Sequence, residues 1–502
     1  MDKSLYLEKN ISQQPAIDLL QSMGYTYISP EDCEAQRGSR YHVLLKDVLR
    51  GQLRRLNRYA FAGAENEFSA ANIERAMEDL DEPLTDGLIR SSEKIYDALL
   101  LGKSYPETVG EGKTLSFNLK YIDWEHPENN LFHVTEEFAV DSRDKLHKAI
   151  PDIVLFINGI PFAVIECKAP QVSVEQAVEQ NIRNQQKEYI PQLYKFAQIV
   201  MATNKNAVKY ATTGTPKKFW NVWKEQDTAF LEDALAQHVT DRTPTEQDRN
   251  LISLFSKERV MELIRYFVLF DANVKKICRY HQYFAIKEII KTIQQQDEKG
   301  NRQSGVIWHT QGSGKSLSMV FYAHYLQKAL ESPTIVVITD RNDLDNQLYG
   351  QFSRCKDFLR QTPQQAESRQ NLQELLAGRQ ANGIIFTTMQ KFEETGEPLS
   401  ERRNIVVMAD EAHRGQYGLT EKVVTKQNEK GELEVKTSIG TARIIRDSLP
   451  NATYIGFTGT PISSKDRSTR EVFGDYIDIY DMTQAVEDEA TRPVYYESRV
   501  TT

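Results

Sequence analysis

Asp152, Glu166 and Lys168 fall inside one apolar run, PDIVLFINGIPFAVIECK at residues 151–168. Charges in such a run are costly unless they are paired or bind a metal. Two carboxylates can hold Mg2+, which polarises a phosphoryl oxygen and activates a water. A neighbouring lysine helps to deprotonate that water or to neutralise the charge on phosphorus. Glu166 and Lys168 lie two apart on a strand and so share a face. Asp152 is less simple. Asn158-Gly159 is a hairpin signal, and a strict two-residue loop pairs Ile157 with Ile160 and therefore Asp152 with Ile165. That register puts Asp152 on the face opposite Glu166. A two-carboxylate site thus requires an odd loop or a bulge. The competing reading is a Glu–Lys pair on the surface of an edge strand.

A second chemistry is written in TQGSGKS, residues 310–316, directly after the apolar run GVIWH. Gly312, Ser313, Gly314 and Lys315 offer backbone amides that wrap a phosphate, and glycine permits the tight turn. Lys315 is expected to reach the β- and γ-phosphates of ATP and Ser316 to ligate Mg2+. The helix that follows aims its N-terminal dipole at the same anion. His309 stands where the first glycine of GxxxxGK[ST] is usual. In IVVMADEAHR, residues 405–414, Asp410 is expected to hold the Mg2+ of ATP and Glu411 to orient and deprotonate the attacking water. In TYIGFTGTP, residues 453–461, Thr458 and Thr460 are placed to sense the γ-phosphate; their plainer role is a polar turn before Pro461.

The elements that must position these residues are legible in outline. Helices are expected over 41–57, 87–101 and 174–189, with strands at TLSFNLKYI, NLFHVTEEFAV, PDIVLFI, FAVIECK, AQIVMAT and YATTG. From Lys275 onward, short β-branched runs (GVIWHT, TIVVITD, GIIFTT, IVVMADE, TYIGFTG) alternate with helical spacing. That pattern indicates a parallel sheet with covering helices. The charged segment 421–437 reads as an exposed loop or hairpin. The fold class is therefore α/β. The division expected is a nuclease domain over 1–250, a connecting helix or linker over 251–274, a nucleotide-binding domain over 275–475, and a link over 476–502.

The 502 residues call for about two to four domains. No run of about 18 apolar residues suggests a membrane span, and the N-terminus lacks the apolar core of a signal peptide. The four cysteines, Cys33, Cys167, Cys278 and Cys355, show no CxxC spacing and fit a reducing cytoplasm. A net charge of −9 disfavours nucleic-acid binding in bulk but leaves room for local patches. One candidate runs from Arg37 to Arg58 and is followed by an acidic stretch, Glu65 to Glu82, that can neutralise it.

The region from Lys275 resembles the first RecA-like domain of superfamily 2 helicases and translocases, with TQGSGKS, DEAH and TGT as its motifs I, II and III. The resemblance implies a Q-motif at RYHQ, with Gln282 reading adenine, and DNA-facing motifs at VVITDRNDL and FTTMQ. No QxxGRxxR motif of a second such domain occurs in the chain, which predicts a fragment that binds ATP and hydrolyses it poorly. Residues 151–168 resemble the PD-(D/E)xK nucleases. The helix AVEQNIRNQ is similar to the AxxQxxRY pattern that follows ExK in restriction nucleases. Gln180 and Arg183 match it, with Gln180 expected to orient the site or touch DNA; Asn184 replaces the tyrosine.

The whole chain resembles the N-terminal half of the R subunit of type I restriction-modification enzymes. That family implies ATP and Mg2+, double-stranded DNA translocation with cleavage at a distance, and partnership with methylation (M) and specificity (S) subunits. Two alternatives stay open: a stand-alone helicase-nuclease for repair or defence, and a catalytically silent scaffold.

Overall fold

The β-branched runs become two separate sheets in the computed structural model of the protein. Residues 9–81, 83–339, 342–392, 397–410, 422–427, 433–438, 441–460 and 473–491 are described. They divide into two units, Met1–Tyr280 and His281–Thr502. No helix among the described residues is long and apolar enough to cross a membrane.

In the first unit, helix α1 spans Gln14–Ser22, strand β1 Thr26–Tyr27 and helix α2 Lys46–Leu56. Strand β2 (Phe132–Glu136) is followed by a small hairpin, β3 (Val140–Asp141) and β4 (Lys148–Ala149). Then come β5 (Ile153–Ile157), β6 (Ile160–Cys167), helices α3 (Val174–Asn184) and α4 (Pro191–Tyr194), and strands β7 (Ile199–Thr203) and β8 (Val208–Ala211). The sheet order is β1-β2-β5-β6-β7-β8. It is mixed: β6 runs antiparallel to β5 and parallel to β7. Both β5 and β6 are buried along their whole length, which fits inner strands covered on both faces. This removes the edge-strand reading of Glu166.

The segment 251–274 is not one connecting helix. It contributes to helices α5 (Glu246–Phe255) and α6 (Lys257–Tyr266) and to a hairpin of β9 (Val268–Asp271) and β10 (Val274–Ile277). Ser256 at φ −57°, ψ 137° breaks the helical path. A capping box of Thr245 and Asp248 starts α5 before residue 251. Helix α5 packs against α1 and β8, which places this segment in the first unit.

In the second unit, helix α7 (Tyr280–Gln294) leads to β11 (Gly305–His309) and helix α8 (Lys315–Ala329). Strands β12 (Thr334–Thr339), β13 (Gln364–Gln365), β14 (Ile384–Thr388) and β15 (Ile405–Asp410) follow. The charged segment forms the antiparallel hairpin β16 (Lys422–Gln427) and β17 (Leu433–Ser438). Strands β18 (Thr453–Thr458) and β19 (Tyr476–Tyr480) complete a parallel sheet ordered β13-β14-β12-β15-β18-β11-β19. Val306, Val336, Ile385, Val407 and Tyr454 belong to its core. The sheet runs past residue 475, where the sequence reading closed the domain, because β19 pairs alongside β11.

Candidate active sites

The β5–β6 hairpin turns through Asn158 (φ 54°) and Gly159 (φ 82°), the pair of left-handed residues that a type I′ turn needs. Asn158 is fully buried and satisfied. Its amide donates to Tyr121 O and Asn130 Oδ1, and its Oδ1 accepts from Gln52 Nε2 and Leu131 N, all within 3.0 Å. The loop is the strict two-residue one, with Ile157 opposite Ile160. The register then slips between Pro161 and Ala163, leaving Phe162 as the extra residue, so Ile153 faces Ile165. One step further, Glu166 comes opposite Asp152. The hairpin therefore carries the bulge that a two-carboxylate site requires.

The carboxyl groups of Asp152 and Glu166 come within hydrogen-bonding reach of each other. Asp152 Oδ2 accepts from Cys167 N at 2.7 Å, and Lys168 Nζ lies 3.9 Å from the same oxygen. Lys168 also donates to Cys167 O at 2.7 Å. Glu166 is fully buried. Burial pushes its carboxyl well above the usual range, the Asp152 charge adds to that, and Lys168 opposes it. Hard oxygen donors facing each other in a desolvated site fit Mg2+ or a similar cation. Among the described residues no cluster of three or more His, Cys, Asp or Glu gathers as a metal site.

Helix α3 supplies the amides that hold Glu166. Gln180 Nε2 donates to Oε2 at 2.7 Å and Asn184 Nδ2 to Oε1 at 3.1 Å. The two residues are four apart on one helix face. Sequence reasoning set Asn184 aside because the family pattern has tyrosine there; the spacing from Gln180 was the signal that could have found it. The buried hydroxyl of Tyr194, from α4, braces the neighbouring Asn181 at 3.1 Å. Arg183 does not reach the carboxylates: it is exposed, bonds Asn184 Oδ1 at 3.2 Å and lies over the Tyr189 ring.

In the second unit, β15, β18 and β11 are adjacent and parallel, so Asp410, Thr458 and His309 arrive together at one sheet edge. Ligands of open parallel sheets bind at that edge. Gly312 (φ 83°) and Gly314 (φ 93°) shape the loop that opens α8 at Lys315. Ser316 is exposed at the helix start and Lys315 partly so. The buried hydroxyls of Ser313 and Thr460 have no hydrogen-bond partner among the described residues, a donor set suited to a polar ligand such as a nucleotide phosphate. Thr458 Oγ1 donates to Thr460 O at 2.9 Å and so shapes the motif III turn. Gln282, expected to read adenine, is buried; its amide donates to Gly314 O at 3.1 Å and Ser318 Oγ at 3.2 Å. Glu411, Pro461 and Arg341 of the VVITDRNDL motif lie outside the described residues.

Sequence reasoning missed the underside of this loop. His309, in the place of the usual glycine, is fully buried and bonded to Asp478 Oδ2 at 2.6 Å. His281 Nε2 donates to Ser313 O at 3.1 Å, and its ring stacks on Tyr480 at 3.9 Å. Thr310 N donates to Tyr480 O at 2.9 Å. Strand β19 thus grips the loop from beneath; no motif flags it in the sequence.

Comparison with known proteins finds matches to both parts of the chain. Residues 5–219 match the family model "Type I restriction enzyme R protein N terminus" and residues 281–502 match "SWI2/SNF2 ATPase". The type I restriction enzyme HindI endonuclease subunit of Haemophilus influenzae is 37% identical over 98% of this chain and 46% of its own length. A type I restriction enzyme endonuclease subunit of Staphylococcus saprophyticus is 26% identical over 74% of the chain and 36% of its own length. The chain thus spans less than half the length of these relatives. The Sulfolobus solfataricus SWI2/SNF2 ATPase core in complex with dsDNA is 18% identical, covering 41% of this chain and 36% of its own, with a TM-score of 0.27. Residues 5–219 thus carry a type I restriction enzyme R protein N-terminal region, and residues 281–502 a SWI2/SNF2 ATPase domain.

Proposed function

We propose that the chain forms the nuclease and ATP-binding parts of a type I restriction R subunit. In this reading it works in the cytoplasm with M and S subunits, moving double-stranded DNA with ATP and cutting it away from the recognition site. The observation that carries the nuclease half is the Phe162 bulge, which brings Asp152 to the Glu166 face. Mg2+ bound by Asp152 and Glu166 supplies Lewis-acid polarisation and a more acidic water. The protein's own groups do the rest. Gln180 and Asn184 fix both oxygens of Glu166. Lys168, beside Asp152, is placed to take a proton from water or to offset charge on the phosphate.

In the motor half, the amides of Gly312, Ser313, Gly314 and Lys315 cradle the ATP phosphates. Ser316 and Asp410 hold the Mg2+ of ATP, while Thr458 and Thr460 border the γ-phosphate. Gln282 acts from below by bracing Gly314 as well as facing the nucleotide. Glu411 is assigned the water-activating role from its motif alone.

Binding measurements test both halves. Asp152→Ala is expected to remove Mn2+ binding in calorimetry and leave binding of a non-hydrolysable ATP analogue intact. Lys315→Ala should do the reverse. Co-purification with a methyltransferase separates a restriction subunit from a stand-alone helicase-nuclease. If neither substitution altered either ligand, a silent scaffold would be the better reading.

A further inference from the structure

The basic stretch 37–58 stands out in the sequence, yet the structure neutralises much of it. Arg40 pairs with Glu34, Arg50 with Asp47 and Glu74, and Arg58 with Glu67. Arg37 is buried against backbone carbonyls. The β3–β4 hairpin differs. Its tip is tied by Ser142 N to His147 O at 2.8 Å, and Asp144 Oδ1 accepts from Ser142 Oγ at 2.6 Å and Leu146 N at 3.0 Å. The hairpin's tip carboxylate is exposed, with one oxygen engaged by the turn itself. Arg143, Lys145 and Lys148 are exposed, and none pairs with a carboxylate among the described residues. Between them Leu146 is 79% exposed, the most exposed large apolar side chain among the described residues.

This tip is joined to the nuclease carboxylates in two ways. Strand β4 runs through Ile150 and Pro151 directly into Asp152. The His147 ring lies 5.1 Å from that of Tyr189, over which Arg183 sits at 5.3 Å. Arg183 bonds Asn184, and Asn184 bonds Glu166. We propose that the β3–β4 hairpin is a duplex-DNA-binding element: Arg143, Lys145 and Lys148 grip the sugar–phosphate backbone beside Asp152 and Glu166, and Leu146 enters the groove. Exposed cations suit phosphates, and an apolar tip suits a groove floor. The position beside a cutting site rests on the nuclease reading above.

Binding of a short fluorescein-labelled duplex, measured by anisotropy across about 50 to 200 mM salt with Ca2+ in place of Mg2+, tests this. The variant Arg143→Gln/Lys145→Gln/Lys148→Gln is expected to lose about tenfold in affinity and to flatten the salt slope by roughly 2 to 3, near one unit per lost phosphate contact. The comparison variant Lys46→Gln/Arg54→Gln on α2 should keep the slope. An unchanged slope in the triple variant, or an equal loss per charge in the α2 variant, overturns the proposal. Mn2+ calorimetry keeps the two readings apart. The triple variant should bind Mn2+ as the unaltered chain does. If the unaltered chain bound none while the slope still fell, the nuclease reading would fail and the DNA surface would stand.

Discussion

Glu166 faces Asp152 across the β5–β6 hairpin one residue out of step with the turn that joins their strands. A one-residue slip carries a side chain to the other face of a sheet, so Phe162 decides whether the carboxylates meet. Deleting Phe162 is expected to restore strict register and abolish Mn2+ binding. The deletion also removes a buried ring, at a cost of about 3–5 kcal/mol. Phe162→Ala is the matched comparison, because it loses the same ring but keeps the extra residue. It should be less stable in urea and still bind Mn2+. Equal Mn2+ affinity for the two variants would mean that the bulge does not place Asp152.

Asn184 acts on the metal site through Glu166. Asn184→Ala leaves one buried carboxylate oxygen short of a donor, which costs about 1–3 kcal/mol. Loss of a group that orients a metal ligand weakens metal binding by about 10–100-fold. Calorimetric titration with Mn2+ should fall in that range, with binding of an ATP analogue unchanged. Unaltered Mn2+ affinity would reduce Asn184 to a packing role.

Gly159 is tied to its position by space as well as by φ. A Cβ there would lie 2.6 Å from Leu45 O and 3.0 Å from Leu49 N, backbone atoms that cannot step aside. Gly159→Ala is therefore expected to destabilise the first unit by about 1–3 kcal/mol. Urea unfolding followed by Trp fluorescence reads this directly, and an unchanged midpoint would contradict it.

Asp248 gives the first unit a pH dependence with a definite sign. Burial alone raises its carboxyl, but bonds from Arg242 and Thr245 outweigh that and hold it below the usual range. Its folded form therefore gives up the proton at lower pH than the unfolded chain does. The stabilisation is full above the unfolded value, about pH 4, and is lost as pH falls through the lower folded value. Asp248→Asn should lose stability at neutral pH and decline less steeply in acid. Parallel stability curves for the two proteins from neutral pH to pH 3 would rule this out.

The sequence made the strands and loops of both sites readable because local rules govern them. The Asn158-Gly159 turn, the glycines at 312 and 314, and the apolar runs around Glu166 and Asp410 each depend on near neighbours. The requirement for a bulge was also readable, since face parity follows from counting; Phe162 as its site was not, because packing chooses where a strand slips. Asn184 escaped by being judged against a motif instead of against its helix face. Asp478, Tyr480 and His281 lie far apart in the chain from the loop they hold, and only the strand order brings β19 beside β11. The 251–274 segment was misread because Ser256, an ordinary residue, takes the extended conformation that splits the helix.

His309 yields the least intuitive expectation. His309→Gly rebuilds the commoner phosphate-loop spacing, so a motif argument anticipates tighter nucleotide binding. The packing argues the reverse. The imidazole is fully buried and packs edge-on to His281 and Tyr480. Its Nε2 is the partner of Asp478 Oδ2. Removing the ring opens a cavity beneath Thr310 and strips a carboxylate of its donor, a change of about 1–3 kcal/mol for the hydrogen bond alone. The loop then loses part of what holds Ser313 O and Thr310 N in place. Affinity for a non-hydrolysable ATP analogue is expected to fall at least severalfold. Asp478→Asn, which preserves shape and can still hydrogen-bond, should fall less. Tighter binding by His309→Gly would show that the β19 grip does not position the loop.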